Sequence, residues 1–273
     1  MTPKTLTTDG LSVSYLEANP GAEKTIFFIH GNSCTARMWK KQLTDTDLKD
    51  YRLIAFDLPG HGQSDKFPLE KTYSLPAMGE VVAKAIVELS GEKEYIVAGF
   101  SLGTNIVAET LAFDLKPAGL VFAGSCLLGG EIAFSDVAHP DFDATVIFTD
   151  HPPKEQVDKF WINALPRSGA GEVRLFREDY DKADPPFRPS VLQTALSGTI
   201  ANEIELVQQY GRPTFFIFGR EEASVNNNYL DNVPLPFWRD APTIVPDAGH
   251  FVTFEQPRIF NRLLAEYADE VFK

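Results

Sequence analysis

Six short runs of nearly unbroken apolar residues recur along the chain. The runs lie at residues 25–30, 52–57, 95–99, 119–124, 214–219 and 243–246. Strands that are covered by helices on both faces have this composition, because neither row of side chains meets water. We therefore predict that these runs form the strands of a largely parallel sheet.

Two further strands are predicted near the start of the chain. Residues 5–18, TLTTDGLSVSYLEA, alternate between apolar and polar positions on both sides of Asp9-Gly10. An Asp-Gly pair accommodates the positive φ angles of a tight hairpin turn. With the hairpin, the sheet is expected to have eight strands.

Helical patterns lie between the predicted strands. Apolar residues recur at spacings near 3.6 in the segments 35–43, 74–89, 101–113 and 257–272. Pro257 suits the first turn of the last of these helices. Strands that alternate with helices in this way indicate an α/β fold, with a mostly parallel sheet flanked by helices.

The alternation of strands and helices lapses between the sixth and the seventh strand. From about Ser125 to Tyr210 the chain is rich in aromatic residues and proline. A segment of this length without structure of its own would be unusual in a compact domain. We therefore predict a core of residues 1–124 and 211–273, with residues 125–210 inserted as a helical cap.

The charge balance narrows the class of partner. The chain has 273 residues, with 38 acidic and 25 basic ones, and a formal net charge of −13. A surface of this sign repels phosphate backbones. We expect no nucleic-acid partner, and the charge also disfavours a strongly anionic substrate.

The cysteine content bears on metals and on the compartment. Only Cys34 and Cys126 are present, without C-x-x-C or Cys/His metal spacing. Residues 1–20 lack the basic region followed by an apolar region that is typical of a signal peptide, and no apolar run is long enough to span a membrane. We expect a cytoplasmic protein with no metal and no membrane partner. The oligomeric state stays open, with a homodimer as one expectation.

One serine lies between two glycines in VAGFSLGTN, residues 97–105. A G-x-S-x-G pentapeptide occurs by chance in roughly one chain in ten of this length. The context is more specific, because an apolar run precedes Ser101 and a helical pattern follows it. A strand-turn-helix of this kind exposes a serine in a strained conformation. Ser101 is therefore a candidate nucleophile, and a turn residue is the alternative.

A nucleophilic serine needs a base and a carboxylate. Of the five histidines, only His250 follows a late apolar run at the sheet edge where Ser101 is expected. Glu221 and Glu222 follow the strand at 214–219, and either one gives the chain order serine, acid, histidine. Asp247 is an alternative, which we interpret as a turn residue because it is so close to His250 in the sequence.

Five motifs stand in the order typical of one known superfamily. They are FFIHGNS, FDLPGHGQSD, GFSLGTN, FGREE and AGHFVTFEQP. With them the chain resembles the α/β-hydrolase superfamily, and in particular its serine esterase-type members with a helical cap. The resemblance covers roughly residues 10–125 and 210–270. It implies the α/β-hydrolase fold and no cofactor.

The resemblance also assigns roles to particular residues. It implies Ser101 as the nucleophile, His250 as the base and Glu222 as the acid, where aspartate is commoner in the family. Glu221 stays open as the acid. The oxyanion hole would consist of the backbone N–H groups of Leu102 and Asn32.

Four aromatic residues are candidates for an apolar substrate pocket, with core packing as the alternative. They are Trp39, Trp161, Phe100 and Phe251. The expected substrate is a small, largely apolar carboxylic ester that is cleaved through an acyl-enzyme intermediate.

The alternatives on the same triad are hydrolysis of a lactone, a thioester or a C–C bond, and peroxide-dependent acyl exchange. A C–C hydrolase acting on dienoates would favour cations in the cleft, and four arginines of the cap region are candidates for them, Arg167, Arg174, Arg177 and Arg188. A small-molecule sensor without enzymatic activity is the alternative from another class.

Overall fold

The computed structural model describes residues 1–272 and contains one sheet of eight strands. The strands are β1 Lys4–Thr8, β2 Leu11–Ala18, β3 Thr25–Ile29, β4 Arg52–Phe56, β5 Tyr95–Phe100, β6 Gly119–Ala123, β7 Phe215–Gly219 and β8 Thr243–Val245. Their spatial order is β1-β2-β4-β3-β5-β6-β7-β8. The hairpin strand β2 is antiparallel to both its neighbours, and every pair from β4 to β8 is parallel. The predicted α/β fold with a mostly parallel eight-stranded sheet is confirmed.

Helices cover both faces of the sheet, so the central strands β3, β5, β6 and β7 are buried almost throughout. On one face lie α2 Leu75–Ser90 and α3 Leu102–Thr110. On the other lie α1 Lys40–Leu43, α10 Val252–Glu255 and α11 Pro257–Val271. The segment predicted as one helix at 35–43 is a 3₁₀ turn, Ala36–Trp39, followed by α1. Within residues 1–272, no helix is both long and apolar enough to cross a bilayer.

The segment between β6 and β7 contains six helices. They are α4 Phe134–Val137, α5 Thr145–Phe148, α6 Lys154–Ala164, α7 Ala170–Lys182, α8 Phe187–Ser197 and α9 Glu203–Tyr210. The last helix, α9, packs against α3, so it belongs to the layer that covers the sheet. We call α4 to α8 the cap helices. The boundaries 125 and 210 of the cap stay a prediction.

Parallel pairing brings the carboxyl ends of several strands to one edge of the sheet. The register aligns Gly99 of β5 with Phe122 of β6, and Gly219 of β7 with Val245 of β8. Ligand sites of open α/β sheets lie outside these carboxyl ends. The loops after β3, β5, β7 and β8 therefore meet beneath the cap helices.

Candidate active site

Ser101 stands at the sharp turn between β5 and α3, with φ 51° and ψ −125°. A side chain at Gly99 would place its Cβ 2.4 Å from the carbonyl oxygen of Gly103, and one at Gly103 would lie 2.4 Å from that of Ile29. Both positions therefore require glycine for the strand and helix to approach so closely. The positive φ of Ser101 is a strained conformation that costs about 1–3 kcal/mol and persists only where the surrounding fold enforces it.

Two hydrogen bonds connect the three residues predicted for the triad. His250 Nε2 lies 2.9 Å from Ser101 Oγ, and His250 Nδ1 lies 2.7 Å from Glu222 Oε2. Because a carboxylate can only accept, Nδ1 carries the ring proton and Nε2 is left as an acceptor for the serine hydroxyl. The arrangement can move a proton from Ser101 to His250.

Backbone hydrogen bonds fix the carboxylate of Glu222. Its Oε1 accepts hydrogen bonds from the backbone N–H groups of Ser224 and Val225, at 2.8 and 3.2 Å. Glu221 lies at an exposed position and pairs with Arg167. Asp247 is an exposed turn residue with φ 54°. Of the three candidate carboxylates, only Glu222 therefore contacts the histidine.

Two backbone N–H groups near Ser101 are free to bind an oxyanion. Leu102 is the first residue of α3, so its N–H has no acceptor within the helix. The N–H of Asn32 has no acceptor in the part of the chain that the structure describes. The Asn32 side chain is engaged elsewhere, because its Nδ2 donates to the carbonyl oxygen of Ile147 in α5, at 2.9 Å.

A cavity that is partly open to solvent lies over Ser101 between the sheet edge and the cap helices. Asn32, Leu102 and His250 line it beside Ser101. Three of the four predicted pocket aromatics also line it, Phe100, Trp161 and Phe251.

The prediction that Trp39 walls the pocket is wrong. Its side chain is fully buried beneath the sheet, with ring centroids 4.8 Å from Phe28 and 6.2 Å from Phe260. The 3₁₀ turn Ala36–Trp39 directs this residue into the core layer formed with α11. Core packing, the alternative interpretation, explains Trp39.

The cavity wall is almost entirely apolar. The cap helices contribute Phe134, Val137, Phe148, Phe160 and Val191 to it. No Asp, Glu, Lys or Arg side chain of residues 1–272 lines the cavity. In particular, the four candidate arginines of the cap region lie outside it, which removes the cation that a dienoate carboxylate would need.

Comparison with known proteins places the chain in a family. The sequence profile of the Alpha/beta hydrolase family matches residues 26–263, which include the whole of the site described above. The chain belongs to the alpha/beta hydrolase family.

The relatives of this hydrolase differ in length. AB hydrolase superfamily protein YisY of Bacillus subtilis is 25% identical over 264 residues, covering 91% of the hydrolase and 93% of YisY. The dihydrolipoyllysine-residue acetyltransferase component of the acetoin cleaving system of Cupriavidus necator is 34% identical over 134 residues. That match covers 49% of the hydrolase and 33% of the acetyltransferase component. The hydrolase thus spans only about a third of that relative.

Solved structures share the fold of the hydrolase over its whole length. A mutant of the N-acyl homoserine lactonase AidH, complexed with N-hexanoyl homoserine lactone, has a TM-score of 0.89 at 23% identity. The superposition covers 100% of the hydrolase and 99% of the lactonase. A putative aryl esterase from Burkholderia cenocepacia has a TM-score of 0.80 at 22% identity and covers 99% of each chain.

Three side chains of the hydrolase near Ser101 were not predicted as site residues. Asn105 and Cys126 line the cavity, and Asn105 Nδ2 donates to the carboxyl group of buried Glu203, at 2.7 Å. Cys126 Sγ lies 4.0 Å from Ser101 Oγ. Burial, with the nearby charge of Glu222, raises the pKa of the Cys126 thiol to about 12, so this cysteine does not compete as a nucleophile. Asn105 could have been inferred, since it lies one helical turn after Ser101.

Two buried histidines, His30 and His61, pack against each other next to the loop after β3. His30 Nε2 accepts the backbone N–H of Leu58 at 3.0 Å, which places the ring proton on Nδ1, 2.8 Å from the carbonyl oxygen of Gly31. Burial lowers the pKa of His30 to about 4 and the pKa of neighbouring His61 well below its usual value. Both rings are therefore neutral structural groups at pH 7 in the hydrolase.

Proposed function

We propose that the protein is a serine hydrolase that cleaves carboxylic esters of small, largely apolar substrates through an acyl-enzyme intermediate. The observation that carries this proposal is the chain of hydrogen bonds from Glu222 through His250 to Ser101, which ends in an apolar cavity.

The chemistry follows from the positions of the groups. Ser101 Oγ attacks the ester carbonyl carbon while its proton passes to His250 Nε2, and the N–H groups of Leu102 and Asn32 bind the oxyanion that forms. The carbonyl double bond then re-forms as the bond between the carbonyl carbon and the alcohol oxygen breaks, and the leaving alcohol takes the proton from His250. Water attacks the acyl-enzyme by the same route, with His250 as the base, and releases the acid and free Ser101.

The lining of the cavity favours substrates with an uncharged acyl group. Its wall offers no cation to a carboxylate and no anion to an amine. An ionised group would lose its hydration on entry without gaining a partner, which costs several kcal/mol in a buried site. Apolar chains gain from the same burial, by about 0.8 kcal/mol for each methylene.

A lactone is the second candidate substrate. The lactonase that superposes on the whole chain, cap helices included, favours it. Ring opening uses the same steps, except that the leaving alcohol stays attached to the acyl group. A lactone with an apolar acyl substituent would occupy the same uncharged cavity.

The test is a substrate screen with Ser101→Ala as the blank. We expect the wild-type protein to hydrolyse p-nitrophenyl esters, N-hexanoyl homoserine lactone or both, and Ser101→Ala to lower kcat by about 10⁶-fold. Retained turnover in Ser101→Ala would refute the proposal. Circular dichroism spectra of the two proteins establish that the variant is folded.

A fluorophosphonate probe separates the enzyme from a sensor. It should label the wild type and also Ser197→Ala, which removes an exposed serine at the end of α8, but not Ser101→Ala. Labelling without turnover of any ester, lactone or thioester would favour a small-molecule sensor with a reactive serine.

A further inference from the structure

The loop after β3 is held by the cap helices at several points. We call residues 32–37 the oxyanion loop. Asn32 donates to Ile147 of α5, as described above, and Thr35 Oγ1 donates to Asp179 Oδ2 of α7 at 2.7 Å. Arg37 Nε donates to the other oxygen of the same carboxylate at 3.0 Å. The cap therefore contacts both the substrate cavity and the loop that carries the Asn32 N–H.

A buried arginine of the cap makes a further contact with this loop. Arg188 of α8 is only 2% exposed, and its Nε donates to Ser33 Oγ at 3.0 Å. Its remaining hydrogen bonds go to the carbonyl oxygens of Tyr180 and Asp150, at 2.6 and 3.2 Å. No carboxylate of residues 1–272 forms a salt bridge with it. The guanidinium lies over the Tyr180 ring, 3.8 Å from its centroid.

The hydrogen bonds continue from Arg188 to the residue that offers the oxyanion N–H. Ser33 Oγ accepts from Arg188 and donates to Asn32 Oδ1 at 2.8 Å. Ser33 itself has φ 54°, a left-handed conformation that costs a non-glycine residue free energy. Arg188 and Asn32 therefore hold the Ser33 hydroxyl between them and stabilise this turn.

We propose that Arg188 is a positioning residue for the oxyanion hole, because its hydrogen bond to Ser33 Oγ fixes the turn that carries the Asn32 N–H. The proposal rests on the proposed serine hydrolase function.

Burying a cation without an anionic partner is costly. Here the cost supports a turn whose N–H group binds the oxyanion of the transition state more strongly than the neutral carbonyl oxygen of the ester. Arg188 should therefore act on kcat, and a residue that only packed the cap would instead change KM with the shape of the cavity.

The experiment compares Arg188→Met, Arg188→Lys and Ser33→Ala with the wild type on one p-nitrophenyl ester. Loss of a whole oxyanion donor costs about 100- to 1,000-fold in kcat, so a displaced donor should cost about 10-fold or more. We expect this loss in Arg188→Met with KM changed less than about 2-fold, and partial recovery in Arg188→Lys. Arg177→Met is the matched control, since the side chain of Arg177 of α7 donates to Asp158 and Asp181 of the cap and shares only the more distant Tyr180 ring, 5.9 Å away, with Arg188.

Ser33→Ala breaks the same chain at its middle atom. If Arg188 acts through Ser33, the double variant Arg188→Met/Ser33→Ala should lose no more kcat than the worse of the two single variants. If the two residues act independently, the fold-losses of the single variants should multiply. Melting temperatures identify any variant whose loss of activity comes from unfolding. If Arg188→Met is unfolded, the kcat of Arg188→Lys, which keeps the charge, is compared with that of the wild type instead.

A folded Arg188→Met with kcat within about 2-fold of the wild type, or a loss confined to KM, would overturn the proposal. Failure of the hydrolase function looks different, because then Ser101→Ala would match the wild type. The rate of fluorophosphonate labelling gives a second readout that does not depend on the natural substrate, and it should fall in Arg188→Met as well.

Discussion

Glu222 Oε2 lies 2.7 Å from His250 Nδ1, at the end of a side chain that is one methylene longer than the aspartate commoner at this position. The N–H groups of Ser224 and Val225 bind its other oxygen, so the longer side chain is fixed rather than free to swing. Replacement by glutamine removes the charge and presents an amide to the histidine. We expect Glu222→Gln to lower kcat by about 10⁴-fold, because it stabilises the wrong tautomer of His250.

The shorter acid gives a graded test of the same contact. Glu222→Asp should retain more activity, with a loss of about 100-fold, because its carboxylate stops roughly 1 Å short. Glu221→Gln is the control at the adjacent position, where the side chain is exposed and pairs with Arg167. The measurement is the steady-state kcat of each variant on one ester. Equal losses in Glu221→Gln and Glu222→Gln would contradict the assignment of the acid.

Trp161 lies between the cavity and an outer groove. It lines the cavity over Ser101 and also an outer groove between α6 and α7, and within residues 1–272 no other side chain lines both. Its ring stacks on Phe176 at 5.4 Å and lies 5.8 Å from Phe251, the neighbour of His250. A smaller residue here should let longer acyl chains extend toward the groove.

The expected result is a shift of the chain-length optimum in Trp161→Leu toward longer p-nitrophenyl esters. Each methylene newly buried contributes about 0.8 kcal/mol, which is about 4-fold in kcat/KM. Trp161→Phe leaves a smaller gap and should shift the optimum less. Ile162→Ala changes an exposed residue that lines only the groove, and its profile should match the wild type. An unchanged profile in both Trp161 variants would show that another residue sets the limit.

Glu203 is a buried carboxyl beneath the cavity, and its ionisation should weaken the fold. Burial, with the charge of Glu109 nearby, raises the pKa of Glu203 from 4.5 to about 8. Between these values the folded protein holds a proton that the unfolded chain has lost. The contribution of Glu203 to stability therefore decreases as pH rises, by about 1.4 kcal/mol per pH unit.

Glutamine keeps the shape of Glu203 but does not titrate. The free energy of unfolding of Glu203→Gln, measured by urea titration, should rise relative to the wild type from about pH 5 to about pH 8. Glu205→Gln changes an exposed glutamate of the same helix, and its offset from the wild type should stay constant. A constant offset for Glu203→Gln too would mean that Glu203 has the same pKa in the folded and unfolded states.

Much of the fold could be predicted from local sequence pattern. The hairpin around Asp9-Gly10 and the six apolar runs match the eight strands to within about two residues, because buried parallel strands leave an uninterrupted apolar signature. Ser101, His250 and an acid at Glu221 or Glu222 could be predicted because each follows a strand that ends at the same edge of the sheet, and the resemblance to the α/β-hydrolases favours Glu222. These are consequences of chain order and strand direction.

The remaining features depend on contacts between distant parts of the chain. Trp39 and Trp161 both lie in helical segments, yet Trp39 packs under the sheet and Trp161 lines the cavity. Periodicity does not say which layer a short helix joins. The contact between Asn32 and Ile147 joins residues 115 positions apart. No local pattern marks Arg188, because its partners are a serine hydroxyl and backbone carbonyl groups.

The wall of the cavity and the groups proposed to react belong to different parts of the chain. The loops of the sheet edge carry Ser101, Glu222 and His250, while the cap helices supply most of the apolar surface above them. Mutations in the cap can therefore alter which molecule is accepted while the bond-breaking groups stay intact. Substitutions in α4–α8, whether natural or from a directed-evolution library, could therefore change the substrate without changing the groups proposed to react. Arg188 and Asp179 are the exceptions, because their hydrogen bonds hold the oxyanion loop.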